Sequence, residues 1–128
     1  MGSLKHMYTY KAKLDRVIDG DTIDVNINLG FDIQIKKRVR FAGINSPESR
    51  TRDLEEKARG LAAKDRVKAI LAENDTFTLQ SNEIGKYGRV LGTIHLSMVD
   101  GKAQLAQKCL NDLLITEGHA VEYHGGKR

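Results

Sequence analysis

A guanidinium group, two oxygen donors and a carboxylate lie close together in the segment RVRFAGINSPE, residues 38–48. They belong to Arg40, Asn45, Ser46 and Glu48. A guanidinium can neutralise a phosphate, oxygen donors can hold a hard cation, and a carboxylate can remove a proton from water. This segment is therefore where we expect chemistry on a phosphate ester.

The same segment predicts the transition from a strand to a loop. Val39 and Phe41 alternate with Arg38 and Arg40, which is typical of a half-buried strand with one apolar and one cationic face. Pro47 blocks further strand pairing and moves the residue before it out of helical geometry. We therefore expect the polar cluster to lie where this strand ends.

A second group of oxygen donors lies upstream in the motif DGDT. Asp19 and Asp21 flank Gly20, which permits a tight turn or a bulge that directs both side chains. Taken alone, DGDT is more typical of a simple turn, since Asp and Gly are common turn residues. Together with Asn45 and Ser46 it provides hard oxygen donors without a Cys or His cluster, which suits calcium better than zinc.

Three charged residues have both a catalytic and an ordinary interpretation. Glu48 could activate a water molecule or could be a surface acid. Arg40 and Arg89 could bind phosphate oxygens as the phosphorus becomes pentacoordinate, or could form solvated salt bridges. One metal ion, one carboxylate and two arginines are sufficient for metal-assisted hydrolysis of a phosphodiester.

Composition narrows the class of protein. The chain has 128 residues and a formal net charge of +4, with a pI of about 9.2. This length suits one domain, and the charge favours a polyanionic partner such as nucleic acid, although many solvated surfaces are as basic.

The only cysteine, Cys109, fits a buried structural thiol better than a nucleophile. Residues 1–6 resemble an expression leader, which leaves a single domain over residues 7–128.

Alternating apolar and polar residues predict three antiparallel strands at the start of this domain. They cover residues 8–18, 23–29 and 31–41, with a hairpin around Gly30. After the proline, Asp53 and Glu56 resemble a capping box, and the apolar spacing that follows predicts a helix to about Ala72.

Two more strands are predicted at residues 76–79 and 89–96. The spacing of apolar residues then predicts a second amphipathic helix from about Leu105 to Gly118. The fold class is therefore mainly β with α, and five strands with two helices suit an antiparallel Greek-key barrel of the OB type. Such barrels often bind nucleic acid, but the fold alone does not establish a function.

Four segments of the chain resemble the staphylococcal nuclease (thermonuclease) family. They are VIDGDTIDV, RVRFAGINSPE and KYGRVLGTIH, with GHAVEY as a weaker fourth, and their order and spacing agree with that family. The resemblance implies an OB-barrel endonuclease that requires Ca²⁺ and cleaves DNA and RNA with little sequence specificity. It also implies products with 3′-phosphate and 5′-hydroxyl ends.

The resemblance also implies the roles of individual residues. The metal ligands would be Asp21, Asn45 and the backbone carbonyl of Ser46, with Asp19 behind them. The catalytic residues would be Arg40, Glu48 and Arg89. The nucleotide pocket would be lined by Lys86, Tyr87 and Tyr123.

Asn45 departs from the family pattern, because the best-known members carry a second aspartate there. We therefore expect weaker metal binding, and the alternative function is a non-catalytic OB module that binds nucleic acid or protein. The presence of Arg40, Glu48 and Arg89 favours the enzyme, because a domain that only binds has little use for a carboxylate beside a phosphate. We expect DNA and RNA as partners, single strands preferred because Tyr87 could stack on a base, with no membrane and a monomeric state.

Overall fold

The computed structural model describes residues 9–84 and 90–123, apart from the side chains of residues 82–84 and 105–107. Within these residues, eight strands and two helices follow one another. They are β1 (Thr9–Asp19), β2 (Thr22–Gly30), β3 (Ile33–Phe41), β4 (Ile44–Asn45), α1 (Leu54–Ala72), β5 (Phe77–Ile84), β6 (Val90–Val99), β7 (Lys102–Cys109), α2 (Leu110–Thr116) and β8 (Val121–Glu122).

Five of these strands form a closed barrel. Neighbouring strands pair in the order β3-β2-β1-β5-β6, and β3 also pairs with β6, which joins the two ends of the sheet. The closing pair is parallel and runs from Val39↔Val90 to Phe41↔Gly92, whereas the other barrel pairs are antiparallel. The predicted fold class, a five-stranded OB-type barrel with two helices, is confirmed.

The predicted hairpin between β2 and β3 is also confirmed. Its turn uses positive φ angles at Gly30, Phe31 and Asp32, and the backbone N–H of Gly30 donates to Asn28 Oδ1 over 2.8 Å. The apolar side of this hairpin fills the barrel core near the site but is exposed near the turn, where Phe31 is 98% exposed. The hairpin thus extends beyond the barrel.

Helix α1 begins at the predicted cap and ends at the predicted residue. The Asp53 carboxylate accepts hydrogen bonds from the backbone N–H groups of Glu55 and Glu56. The reciprocal half of a capping box is not formed, because Glu56 accepts a hydrogen bond from the N–H of Glu48 instead. The first turn of α1 is therefore connected to the loop that carries the candidate base.

The prediction of the second helix is wrong in its first half. Residues 102–109 form β7, and α2 begins only at Leu110. Asp100 and Gly101 have φ angles of 50° and 80°, so they form a tight turn that pairs Val99 with Lys102. An Asp-Gly pair between two apolar segments is a strong hairpin signal, and here it overrides helical spacing.

Helix α2 is connected to the barrel by a buried asparagine. The Asn111 side chain donates to the carbonyls of Ala42 and Gly92 and accepts from the N–H of Ile94. Cys109 lies just before this helix, and burial raises the pKa of its thiol. Neither described helix is long and apolar enough to cross a membrane.

Candidate active site

The turn between β1 and β2 and the end of β3 bring Asp21 and Arg40 together. Thr22 pairs with Arg40 across the two strands, and the N–H of Phe41 donates to the Asp21 carbonyl over 2.8 Å. The Asp21 carboxylate is buried, and its Oδ2 lies 2.9 Å from Arg40 Nη1. A buried carboxylate needs a cationic partner of this kind, because burying an unpaired charge costs free energy.

Two further contacts fix the Asp21 carboxylate. Oδ1 accepts from the Thr22 hydroxyl over 2.8 Å, and Oδ2 accepts from the backbone N–H of Ser46 over 3.1 Å. Ser46 belongs to the loop after β4, so one carboxylate joins the β1–β2 turn to that loop. The side chains of DGDT therefore do more than shape a turn.

Arg40 is held by three groups from different parts of the chain. Its Nη2 donates to Asn45 Oδ1 over 3.3 Å, and its guanidinium carbon lies 5.7 Å from the centre of the Tyr123 ring. Its Nη1 is buried and close to Asp21, but its N–H groups are not aligned for a hydrogen bond with any described residue. The guanidinium is thus positioned by an ion pair, a hydrogen bond and an aromatic ring.

Tyr123 reaches Arg40 because the end of the described chain returns to the loop after β3. Asn45 pairs with Val121 in the short β4–β8 sheet, and the N–H of Tyr123 donates to the Gly43 carbonyl over 2.8 Å. One small sheet therefore positions both the amide and the aromatic ring beside the arginine.

Asp19 lies on the other side of the turn and binds the loop after Pro47. Its Oδ1 accepts from the hydroxyl of Ser49 and from the Ser49 backbone N–H, which lies 3.3 Å away. Ser49 is buried at 3% exposure. Sequence reasoning did not identify Ser49, because nothing in its neighbours shows that it faces a carboxylate thirty positions upstream.

Glu48 is exposed, while its backbone is held on both sides. Its N–H donates to Glu56 Oε2 over 3.1 Å. A Cβ on Gly60 of α1 would lie 2.3 Å from the Glu48 carbonyl oxygen and 2.7 Å from the Ser49 nitrogen. Only glycine allows this approach, so the helix supports the loop directly.

A second close contact places α1 against the DGDT turn. A Cβ on Gly20 would lie 2.6 Å from the Ala63 Cβ and 3.1 Å from Ser46 Oγ. Gly60 and Ala63 lie three positions apart on α1, so they share one face of the helix. Sequence reasoning did not identify this small face, although a glycine inside a helical pattern is a recognised sign of close packing.

The described residues therefore bring together most of the candidate site. Asp21, Arg40, Asn45, Ser46 and Tyr123 are connected by direct contacts, and Asp19 and Glu48 belong to the adjoining turn and loop. Arg89, Lys86 and Tyr87 lie outside the described residues.

The oxygen donors of this cluster fit a hard cation. Asp21 and Asn45 each direct an oxygen at the Arg40 guanidinium, so a cation bound to this pair would share these oxygens with the arginine. Within residues 9–84 and 90–123, no cluster of three or more His, Cys, Asp or Glu side chains could hold a metal ion. The site would thus offer one carboxylate with neutral oxygens, which suits calcium better than a transition metal.

The barrel and this cluster define the class to which the protein belongs. Residues 38–128 match the family model described as staphylococcal nuclease homologue, and the chain belongs to that family. The recognition made from four sequence segments is thereby confirmed.

Three known proteins are similar to this chain in sequence. The chain is 33% identical over 116 residues to Micrococcal nuclease of Shigella flexneri, which covers 89% of this chain and 59% of that protein. It is 30% identical over 118 residues to Protein ParB of Escherichia coli, with 90% and 59% covered. It is also 30% identical over 92 residues to Endonuclease YhcR of Bacillus subtilis (strain 168), with 66% of this chain and 7% of that protein covered. The chain therefore spans about three fifths of the first two relatives.

Proposed function

We propose that this chain is an endonuclease domain that hydrolyses phosphodiester bonds of DNA and RNA with little sequence specificity. The observation that carries the proposal is the contact of Asp21 with Arg40 and Ser46 beside the loop of Glu48. The names of two relatives, a nuclease and an endonuclease, support an enzyme over a non-catalytic binding module.

Calcium would be held by Asp21, by the Asn45 side chain and by the Ser46 carbonyl. When bound, the ion would neutralise negative charge and polarise a phosphoryl oxygen. Asp21 would be the only anionic ligand among these three residues, so we expect calcium and the anionic substrate to strengthen each other's binding.

Arg40 would bind and orient the scissile phosphate. Asp21 and Asn45 fix two of its nitrogens, and its positive charge would attract a phosphate oxygen. Arg89 would supply a second guanidinium. The pairing of Val90, the residue after Arg89, supports this role. Val90 pairs with Val39, the residue before Arg40.

Glu48 would accept a proton from the attacking water. Its exposure leaves it accessible to water, while its backbone is fixed by Glu56 and by the contact with Gly60. The water oxygen would bond to phosphorus as the bond to the 5′ oxygen breaks, and that oxygen would take up a proton. The products would carry 3′-phosphate and 5′-hydroxyl ends.

Aromatic rings would bind the neighbouring bases. Tyr123 lies beside Arg40, and Tyr87 would add a second ring in a pocket with Lys86. Stacking on these rings would favour single strands, whose bases are free to reach a side chain. The domain would act as a monomer, because no proposed step needs a residue from a second chain.

Cleavage of circular single-stranded DNA tests this proposal. We expect internal cuts in calcium, none in a chelator, and fragments that polynucleotide kinase labels without prior phosphatase treatment, since their 5′ ends are hydroxyls. The Arg40→Ala variant controls for contaminating nucleases and should be inactive. An inactive wild-type protein that still binds the DNA would support the binding module instead.

A further inference from the structure

The strand that carries Arg40 continues away from the site with polar side chains on the same face. Side chains alternate along a strand, so Arg40, Arg38, Lys36 and Gln34 of β3 point the same way. Their partners on β2 in the same order are Thr22, Asp24, Asn26 and Asn28. This outer face of the barrel is thus continuous with the candidate active site.

Strand β1 extends the outer face with more cations. Lys13 pairs with Asn26, and Lys11 pairs with Asn28. Two rows of side chains therefore cross β1, β2 and β3: Lys13–Asn26–Lys36 and Lys11–Asn28–Gln34. Gln34 lies six positions before Arg40, which corresponds to roughly 20 Å along the strand.

A groove of about 300 Å³ lies on this face. Its polar lining consists of two lysines, three carboxamides and a threonine: Lys11, Lys13, Asn26, Asn28, Gln34 and Thr76. Lysines bind phosphates as point charges, and carboxamides both donate to and accept from the edges of bases. The lining therefore suits a strand of nucleotides, which presents phosphates to the lysines and base edges to the carboxamides.

The acids near the groove do not cancel its attraction for phosphate. Lys36 lies 3.6 Å from Asp15 and Lys13 lies 3.9 Å from Asp75, with exposed side chains in both pairs. Such surface pairs contribute little stability, so a phosphate can replace either acid. Between the groove and Arg40, the outer face carries the row Arg16–Asp24–Arg38. The Asp24 carboxylate is shared by the two arginines, so this row keeps a net positive charge.

We propose that the outer face, with the groove of Lys11, Lys13, Asn26, Asn28 and Gln34, binds the single strand that leads away from the scissile phosphate. This inference rests on the proposed function and extends it, because the catalytic cluster by itself contacts only the nucleotides at the cut. OB folds accommodate about 4–16 nucleotides, and the outer face supplies the additional length. The domain would therefore prefer long single strands to dinucleotides.

Substrate length separates this surface from the catalytic cluster. In the Lys11→Glu/Lys13→Glu variant, we expect KM for a thymidine oligomer of about 16 nucleotides to rise at least tenfold with kcat unchanged. Cleavage of a dinucleotide should not change. The matched control, Lys68→Glu/Lys102→Glu, reverses two exposed lysines outside the groove and should leave both substrates unaffected.

Binding of the same labelled oligomer in a chelator, followed by fluorescence anisotropy, needs no cleavage. The groove variant should bind at least tenfold more weakly with a smaller salt dependence, and Asn26→Ala should weaken binding without changing the salt dependence. Unchanged binding in a folded groove variant would overturn the inference, even if the wild-type protein cuts DNA. Failure of the wild-type protein to cut either substrate would instead contradict the proposed function.

Discussion

Asp21 and Glu48 are the two carboxylates with a direct role in the proposed chemistry, and the fold holds them in opposite ways. Asp21 is buried, and its oxygens contact Thr22, Ser46 and Arg40. Glu48 is exposed, and the contacts that position it involve its backbone. The Asp21 carboxylate is thus fixed by contacts to its own oxygens, whereas Glu48 is positioned through the backbone of its loop.

This difference matches the work proposed for each group. A carboxylate that holds positive charge acts best when its partners are already in place, because no reorganisation is then needed during the reaction. A carboxylate that accepts a proton must reach water and remain free to change its charge. Substitutions should therefore affect stability and activity together at the buried cluster, and activity alone at Glu48.

Arg40→Ala should have the largest effect. We expect a loss of about 10³ to 10⁵ in kcat/KM, together with about 3 kcal/mol of stability because Asp21 stays buried without its cation. Arg66→Ala is the matched control, because Arg66 binds Asp100 and Glu117, neither of which is a proposed site residue, and its loss should lower stability alone. Activity of Arg40→Ala within tenfold of wild type would exclude Arg40 from catalysis.

Glu48→Gln should lower the cleavage rate about as far as Arg40→Ala does, but without lowering the stability of the fold. The side chain is exposed, so we expect the free energy of unfolding to change by less than about 0.5 kcal/mol. Single-turnover cleavage and chemical denaturation of the same preparation test both parts. A large loss of stability would show that Glu48 is structural, and retained cleavage would show that another group acts as the base.

Gly60→Ala tests whether the loop backbone positions Glu48. The added methyl must displace the Glu48 carbonyl, and a shift of about 1 Å can cost on the order of 10²-fold in rate. Ala58→Ser changes an exposed position of the same helix and serves as the control. We expect kcat to fall with little change in calcium affinity. An unchanged kcat would mean that the loop tolerates displacement.

Asn45→Asp should produce a moderate gain in calcium affinity. An anionic oxygen in place of the amide should lower the calcium concentration for half-maximal activity by roughly tenfold, or about 1.4 kcal/mol. The maximal rate need not rise, because the added carboxylate would also repel the phosphate and attract Arg40 more strongly. A calcium titration with an unchanged or higher midpoint would show that Asn45 is not a ligand.

The smallest effect is expected at Asp24, which also pairs with an arginine of β3 but lies nearer solvent. The hydrogen bond from Arg38 holds the pKa of Asp24 below its ordinary value, so its contribution to stability is present above about pH 4. That contribution is lost as pH falls through the lowered pKa. Asp24→Asn should thus cost less than about 1 kcal/mol at neutral pH and nothing in strong acid. Denaturation at several pH values measures this difference.

Local signals predicted much of this architecture. Strand alternation around Gly30 and the cap at Asp53 depend on neighbouring residues, and the structure contains both. The second helix was predicted too long, because its apolar spacing is also compatible with a strand and the Asp100–Gly101 turn decides between them.

The candidate site was predictable where its residue types and spacing were distinctive. Asp21, Arg40 and Asn45 are adjacent in the structure, as the motifs suggested. The supports of the Glu48 loop were not predictable, since Ser49 and Gly60 act through contacts that exist only after the helix packs on the turn. Residue types thus indicated which candidate site residues lie together, and tertiary packing determined what holds them.

A crystal structure with calcium and a nucleoside 3′,5′-bisphosphate would test the central claim most directly. We expect the calcium ion on oxygens of Asp21 and Asn45 and the Ser46 carbonyl, a phosphate on the guanidinium of Arg40, and the Glu48 carboxylate facing that phosphate. A calcium ion bound elsewhere, or a phosphate that does not contact Arg40, would contradict the proposed active site.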